Sequence, residues 1–124
     1  MVGGQSRGSH VLLDYRNYSS TEENDGRWML HLIRECVRES GIREVHSHVE
    51  IFDGGLSPPG FAAVVLIDES HVTAHCYSEI GLLAIDVFTC GDHDPDGVAE
   101  LIHERLISED ASIVLDKRQR VDRF

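Results

Sequence analysis

Positive charge is scarce in this chain. Its 124 residues carry 11 Lys and Arg against 22 Asp and Glu, for a formal net charge of -11. That deficit argues against nucleic acid or an anionic membrane as a partner, because both are bound through a surplus of Lys and Arg. It suits a cationic small molecule, although acidity more often serves solubility alone. Also missing is any apolar run long enough to cross a bilayer, and the opening MVGGQSRGSH lacks the apolar segment of a signal peptide. The three cysteines, Cys36, Cys76 and Cys90, cannot all pair within one chain, and no two have the CxxC spacing of a redox or zinc site. These absences predict a cytoplasmic, reducing setting with free thiols. No internal repeat, low-complexity segment or linker divides the sequence, so residues 1–124 are expected to form a single domain.

What is present is globular in character, with 41% hydrophobic and 27% charged residues. The first nine residues are rich in Gly and Ser and are expected to be mobile. His10 to Tyr15 is a short apolar strand candidate. Trp28, Met29, Leu32, Ile33, Cys36 and Val37 recur at helical spacing and predict a helix over 27–40. Asp25 is its expected N-cap, and Gly41 stands where a left-handed residue ends a helix. Val45, Val49 and Ile51 then alternate with His46, His48 and Glu50, a half-buried strand. DGGLSPPG, residues 53–60, is a turn by composition. The runs at 61–67, 72–77 and 82–88 read as three further strands. Asp94 and Pro95 open a second helix as N-cap and first residue. Residues 112–115 close the pattern as a short last strand, followed by Lys117-Arg118-Gln119-Arg120 as a solvated end. The order β-α-β-β-β-β-α-β predicts an α+β fold, a two-layer sandwich of a largely antiparallel sheet with both helices on one face. The runs at 61–67 and 82–88 are too apolar for a solvated face, which predicts a homodimer formed by sheet burial.

Reactive side chains concentrate in one segment. Asp68-Glu69-Ser70-His71-Val72-Thr73-Ala74-His75 interrupts a strand with Glu, Ser and His, and Glu79 and Cys90 follow within a strand's length. A serine beside two histidines suggests a hydrolase nucleophile, but G-x-S-x-G at a strand-to-helix turn is missing. Cys36 lies on the apolar stripe of the first helix and reads as core. His46 and His48 with His71 and His75 lack ligands at a recognised zinc spacing, so no metal is expected.

The stretch DESHVTAHCYSEIGLLAIDVFTCG, residues 68–91, resembles the core of prokaryotic S-adenosylmethionine decarboxylase, a pyruvoyl-dependent family of the spermidine pathway. The match rests on ESH at 69–71, Thr73, His75, Glu79, Gly81, Ala84, Asp86 and FTCG at 88–91, with a weaker likeness at Gly8-x-His10. The resemblance implies a proenzyme cut between Glu69 and Ser70, giving a β chain 1–69 and an α chain 70–124. It implies that the Ser70 hydroxyl attacks the preceding carbonyl, and that elimination and hydrolysis leave a pyruvoyl group at position 70. That group would form a Schiff base with the substrate amine, a task otherwise given to pyridoxal phosphate. By the same resemblance His75 is the base in processing, Cys90 the acid that reprotonates the substrate carbon, and Glu79 the carboxylate for the ribose hydroxyls.

Three departures from the family stand out. Ala62 occupies the position of a serine that assists the acyl shift. The family's TWPE and YGYAA become Cys76-Tyr77-Ser78-Glu79 and Ile80-Gly81-Leu82-Leu83-Ala84. The turn 53–59 is longer than usual, so an aromatic to stack on adenine would have to come from Phe52 or Phe61. The expected reaction is decarboxylation of S-adenosylmethionine. Ornithine or arginine as substrate, or an uncleaved regulatory relative, are the alternatives.

Overall fold

Two-residue alternation of apolar and polar side chains decides which face of each strand is buried. The computed structural model describes residues 7–124. Its elements are β1 (Gly8–Arg16), α1 (Asp25–Glu39), β2 (Glu44–Phe52), β3 (Gly60–Ile67), β4 (Ser70–Tyr77), a 3-10 turn (Ser78–Ile80), β5 (Leu82–Cys90), α2 (Pro95–Glu109) and β6 (Val114–Arg123). The strands form one sheet in the order β2-β3-β4-β5-β1-β6, and every neighbouring pair is antiparallel. The two-layer α+β sandwich expected from the pattern is the architecture found.

Val11, Leu13, Phe61, Val65, Val72, Ala74, Leu83 and Ile85 line the covered face, all at most 2% exposed. Against them pack Met29, Ile33 and Cys36 of α1 and Val98, Ile102 and Leu106 of α2, in one core cluster. Each buried Leu, Ile or Val contributes roughly 1.5–3 kcal/mol relative to exposure, so this face dominates stability. α1 lies over β2 and β3, and α2 over β1 and β5. Arg105 of α2 ties the helices together, reaching Glu35 of α1 at 3.0 Å. The opposite face carries Ala62, Val64, Leu66, His71, Thr73, His75, Ala84, Asp86 and Phe88, and neither helix covers it.

Several boundaries differ from the sequence reading. Gly8 and Ser9 are buried strand residues rather than part of a mobile tail; residues 1–6 of that expected tail lie outside the described residues. The N-cap of α1 is Asn24, whose side-chain oxygen accepts from the Arg27 amide at 3.1 Å, and Asp25 is the first helical residue. Gly41 takes the expected left-handed conformation, at φ 74°. Val45 is 55% exposed because the β2–β3 register shifts between Glu44 and His46, pushing it out of the alternation. The largest correction is at the end. Lys117 to Arg120 are exposed as expected, but they are the middle of β6, which pairs with β1 from Gly8 to Arg16, rather than a loose end. Arg118 and Arg120 there reach Asp96 in the first turn of α2.

Candidate functional site

The turn between β3 and β4 is the shortest in the sheet. Ile67 pairs with Ser70, leaving Asp68 and Glu69 as the two loop residues. A turn this tight needs a left-handed residue, and Glu69 supplies it at φ 59°, unusual for a residue with a side chain. Arg43 steadies the turn by donating to Asp68 at 2.7 and 2.9 Å.

Ser70 follows with its side chain on the helix-covered face, 8% exposed. Its Oγ is buried and has no hydrogen-bond partner among the described residues. A buried hydroxyl without a partner costs on the order of 1–3 kcal/mol and is left free to react. On the uncovered side, the Cys90 Sγ lies 3.8 Å from the Glu69 carbonyl oxygen, placed to donate its S–H. One peptide bond thus has a strained residue before it, an unsatisfied hydroxyl after it and a thiol on its oxygen. Burial pushes the thiols of Cys36 and Cys76 up to about 11. Those two are core groups, and Cys90 is the half-exposed one.

Beside Cys90 runs a chain of polar side chains that the sequence reading did not assemble. His10 Nδ1 lies 2.9 Å from one Asp86 oxygen, and His71 Nε2 lies 3.1 Å from the other. The Arg123 guanidinium is 3.0 Å from His10 Nε2. Guanidinium only donates, so His10 carries its proton on Nδ1 and gives it to Asp86. Burial alone would raise the Asp86 pKa, but hydrogen bonds from His71 and His10 outweigh it and hold the carboxyl below its usual value. The Phe88 ring stacks on His10 at 4.3 Å and tilts against His71 at 5.5 Å. The three ligand atoms of His10, His71 and Asp86 lie within 4.8 Å of one another, close enough for a metal ion. Arg123 favours the proton-bonded reading: a metal on Nδ1 would leave Nε2 protonated against a donor-only group. His48 binds Glu50 instead, at 2.7 Å.

The other expected residues sit at the opposite end. His75 is exposed on the uncovered face, five residues along β4 and roughly 16 Å from Ser70 by strand rise. Glu79 lies beyond it, exposed in the 3-10 turn. Ala62 is paired directly with His75, so the register brings those two positions together. Phe61, one of two aromatics considered for stacking, is 2% exposed in the core; Phe52 is half-buried at the end of β2. A polar cavity of about 430 Å³ opens beside Thr89 and Gly91, but neither Ser70 nor Cys90 lines it. Within one chain the expected residues therefore fall into two separate groups, Glu69–Ser70–Cys90 and His75–Glu79.

The chain is similar to known proteins along most of its length. The family model described as S-adenosylmethionine decarboxylase matches residues 9–119. A relative named S-adenosylmethionine decarboxylase proenzyme, from Clostridium tetani, is 32% identical over 114 residues, spanning 90% of this chain and 86% of that protein. S-adenosylmethionine decarboxylase proenzyme 1 of Bacillus cereus is 36% identical over 102 residues, covering 80% and 74%. Among solved structures, the adenosylmethionine decarboxylase of Aquifex aeolicus VF5 superposes with a TM-score of 0.72 at 27% identity, covering 96% of this chain and 92% of that one.

Proposed function

The chain belongs to the S-adenosylmethionine decarboxylase family, and from that premise we propose that it cuts its own Glu69–Ser70 bond and decarboxylates S-adenosylmethionine. The observation that carries this reading is the Glu69–Ser70 peptide itself: Glu69 in a left-handed turn, Ser70 Oγ buried and unpaired, Cys90 Sγ on the scissile carbonyl oxygen.

In processing, Ser70 Oγ attacks the Glu69 carbonyl carbon. The C–O bond forms, the C–N bond breaks, and the hydroxyl proton passes to the freed nitrogen, which becomes an amine. The strained turn favours that exchange by relaxing, and a donor on the carbonyl oxygen lowers the charge that develops there. Removal of the Ser70 Cα proton then breaks the Cβ–O bond and releases Glu69 as a carboxylate. Water replaces nitrogen at the residue-70 carbon, ammonia leaves, and a pyruvoyl group remains. The unsatisfied buried hydroxyl fits this origin of the group, because no structural bond has to be broken before it reacts.

The pyruvoyl group supplies a carbonyl for the substrate amine and a neighbouring amide that draws off the electrons left by the departing carboxyl. Cys90 stands at the same peptide and holds the proton that returns to the substrate carbon. Glu79 is a carboxylate suited to paired ribose hydroxyls, and the net charge of -11 suits a sulfonium cation. A reducing, cytoplasmic setting keeps the Cys90 thiol free.

His75 serves this chemistry from a second copy. Along one chain it is roughly 16 Å from Ser70 by strand rise, yet His75 and Cys90 both lie on the uncovered sheet face. An isologous pair of sheets, stacked about a two-fold axis that runs across the strands, would set the His75–Glu79 end of one chain over the Ser70–Cys90 end of the other. Val64, Leu66, Ala84 and Phe88 give that face its apolar centre.

The test is carbon dioxide release from carboxyl-labelled S-adenosylmethionine, with ornithine and arginine in parallel. Release from S-adenosylmethionine, abolished by Ser70→Ala, is the expected result. Release from ornithine or arginine alone would overturn the substrate, and no release from any of the three would overturn the enzyme.

A further inference from the structure

We infer that the Arg123–His10–Asp86–His71 chain is the anchor that holds the new α-chain terminus in place after cleavage, with Asp86 as its positioning residue. This rests on the cleavage proposed above.

Before the cut, residue 70 is held from both sides: the Asp68–Glu69 turn precedes it and β4 follows. After the cut it is a chain end, and chain ends fray unless something ties them down. The reactive carbonyl would then sit on the most mobile residue of the strand. His71 is the next residue, and it is the first one downstream with a side-chain hydrogen bond. Its Nε2–H donates to Asp86 Oδ2 at 3.1 Å. Asp86 lies on β5, not on β4, so the bond fixes the new terminus to the adjoining strand.

The clamp does not end there. The second Asp86 oxygen accepts from His10 Nδ1–H on β1 at 2.9 Å, and Arg123 on β6 sets that tautomer from 3.0 Å away. Four neighbouring strands, β4-β5-β1-β6, thus contribute one member each to a single row across the uncovered face. Both carboxylate oxygens are used, so Asp86 has one orientation, and Phe88 packs against both imidazoles. A row of this kind immobilises one thing best, the side chain at its free end. That side chain is His71, whose own backbone nitrogen is the amide joined to residue 70.

Asp86→Asn tests it, because the amide keeps the shape but must turn its NH₂ toward one of two ring N–H donors. Hydrogen–deuterium exchange across 70–77 is compared in processed enzyme and in the uncut Ser70→Ala background, each with and without the Asp86→Asn substitution. Exchange of the first β4 amides is expected to rise about tenfold in the processed variant, as for loss of one charged hydrogen bond. In the uncut background the rise should stay under about twofold, since the turn still holds residue 70. With it kcat should fall about tenfold or more while KM stays nearly constant, the mark of a misplaced reacting group.

An equal rise in both backgrounds would overturn the anchor, leaving a general structural role. So would an unchanged kcat in processed Asp86→Asn. A variant that folds yet stays uncut would assign the row to processing and equally overturn it. Masses are read first: a wild-type chain that never cleaves removes the cleavage reading and this inference together. A cleaved wild type with flat exchange removes this inference alone.

Discussion

Ser70 and Cys90 meet at one peptide bond but from opposite faces of the sheet, and substitution separates what each contributes. Cys90→Ala should still be cut, because the attacking hydroxyl and the strained Glu69 remain, yet its turnover should fall on the order of 10²-fold with the loss of the proton donor. Single-turnover decarboxylation of the cut variant measures this, and undiminished turnover would remove the acid role. Asp86 gives a pH signature. Its folded-state pKa is depressed, so its contribution to stability is present above the unfolded carboxylate value and disappears as pH falls through the lower folded value. Melting temperature should therefore drop steeply below about pH 4, and less steeply in Asp86→Asn. Equal slopes would mean that the histidine hydrogen bonds do not hold the carboxyl down. Motif spacing and the family resemblance were enough to name Glu69, Ser70, His75, Glu79 and Cys90 as candidates, and the structure brings Ser70 and Cys90 to one peptide bond. The His10–Asp86–His71 row was not, because it depends on the register between β1 and β5, and His10 and Asp86 stand 76 positions apart in the chain.

At the scale of elements, apolar periodicity was sufficient wherever one face is buried. It located α1, α2 and the central strands, and it placed both helices on the same side. It failed where burial is not the organising force. β6 is an edge strand whose residues from Asp116 to Arg123 are all exposed, and charge on an edge strand is a defence against unwanted pairing rather than a sign of disorder. Arg118 and Arg120 are held by carboxylates of α2, a contact no local pattern contains. The N-cap of α1 was misplaced by one residue because Asn24 and Asp25 are both good caps. The distinction is measurable: Asn24→Ala should cost about 1 kcal/mol and lower the melting temperature by roughly 3–5 °C, whereas Asp25→Ala should cost less. The reverse order in thermal unfolding would return the cap to Asp25. Gly60, at φ 156°, marks another element constraint, since a Cβ there would lie 1.9 Å from the Cys76 carbonyl oxygen. The β3 strand can begin beside β4 only with glycine at that position.

For the molecule as a whole, the candidate residues of one chain fall into two groups, Glu69–Ser70–Cys90 and His75–Glu79, separated along β4. The sequence pattern pointed to sheet burial against a second copy, but strand spacing alone could not tell which candidate residues lie together. The two-fold pair proposed above would complete both groups, and hybrids test it. Co-expressed Cys90→Ala and His75→Ala chains should recover about a quarter of wild-type activity, because half of random dimers are mixed and each mixed dimer has one intact site. Hybrids as inactive as either parent would place His75 and Ser70 in the same chain. All of this depends on the Glu69–Ser70 bond being broken, and the Ala62 beside His75 makes that the step to measure. Denaturing mass spectrometry of purified protein after prolonged incubation does so most directly. Two fragments are expected, one ending at Glu69 and the other beginning at residue 70 with a blocked amino terminus, and none from Ser70→Ala. A single intact species of 13.9 kDa would contradict it.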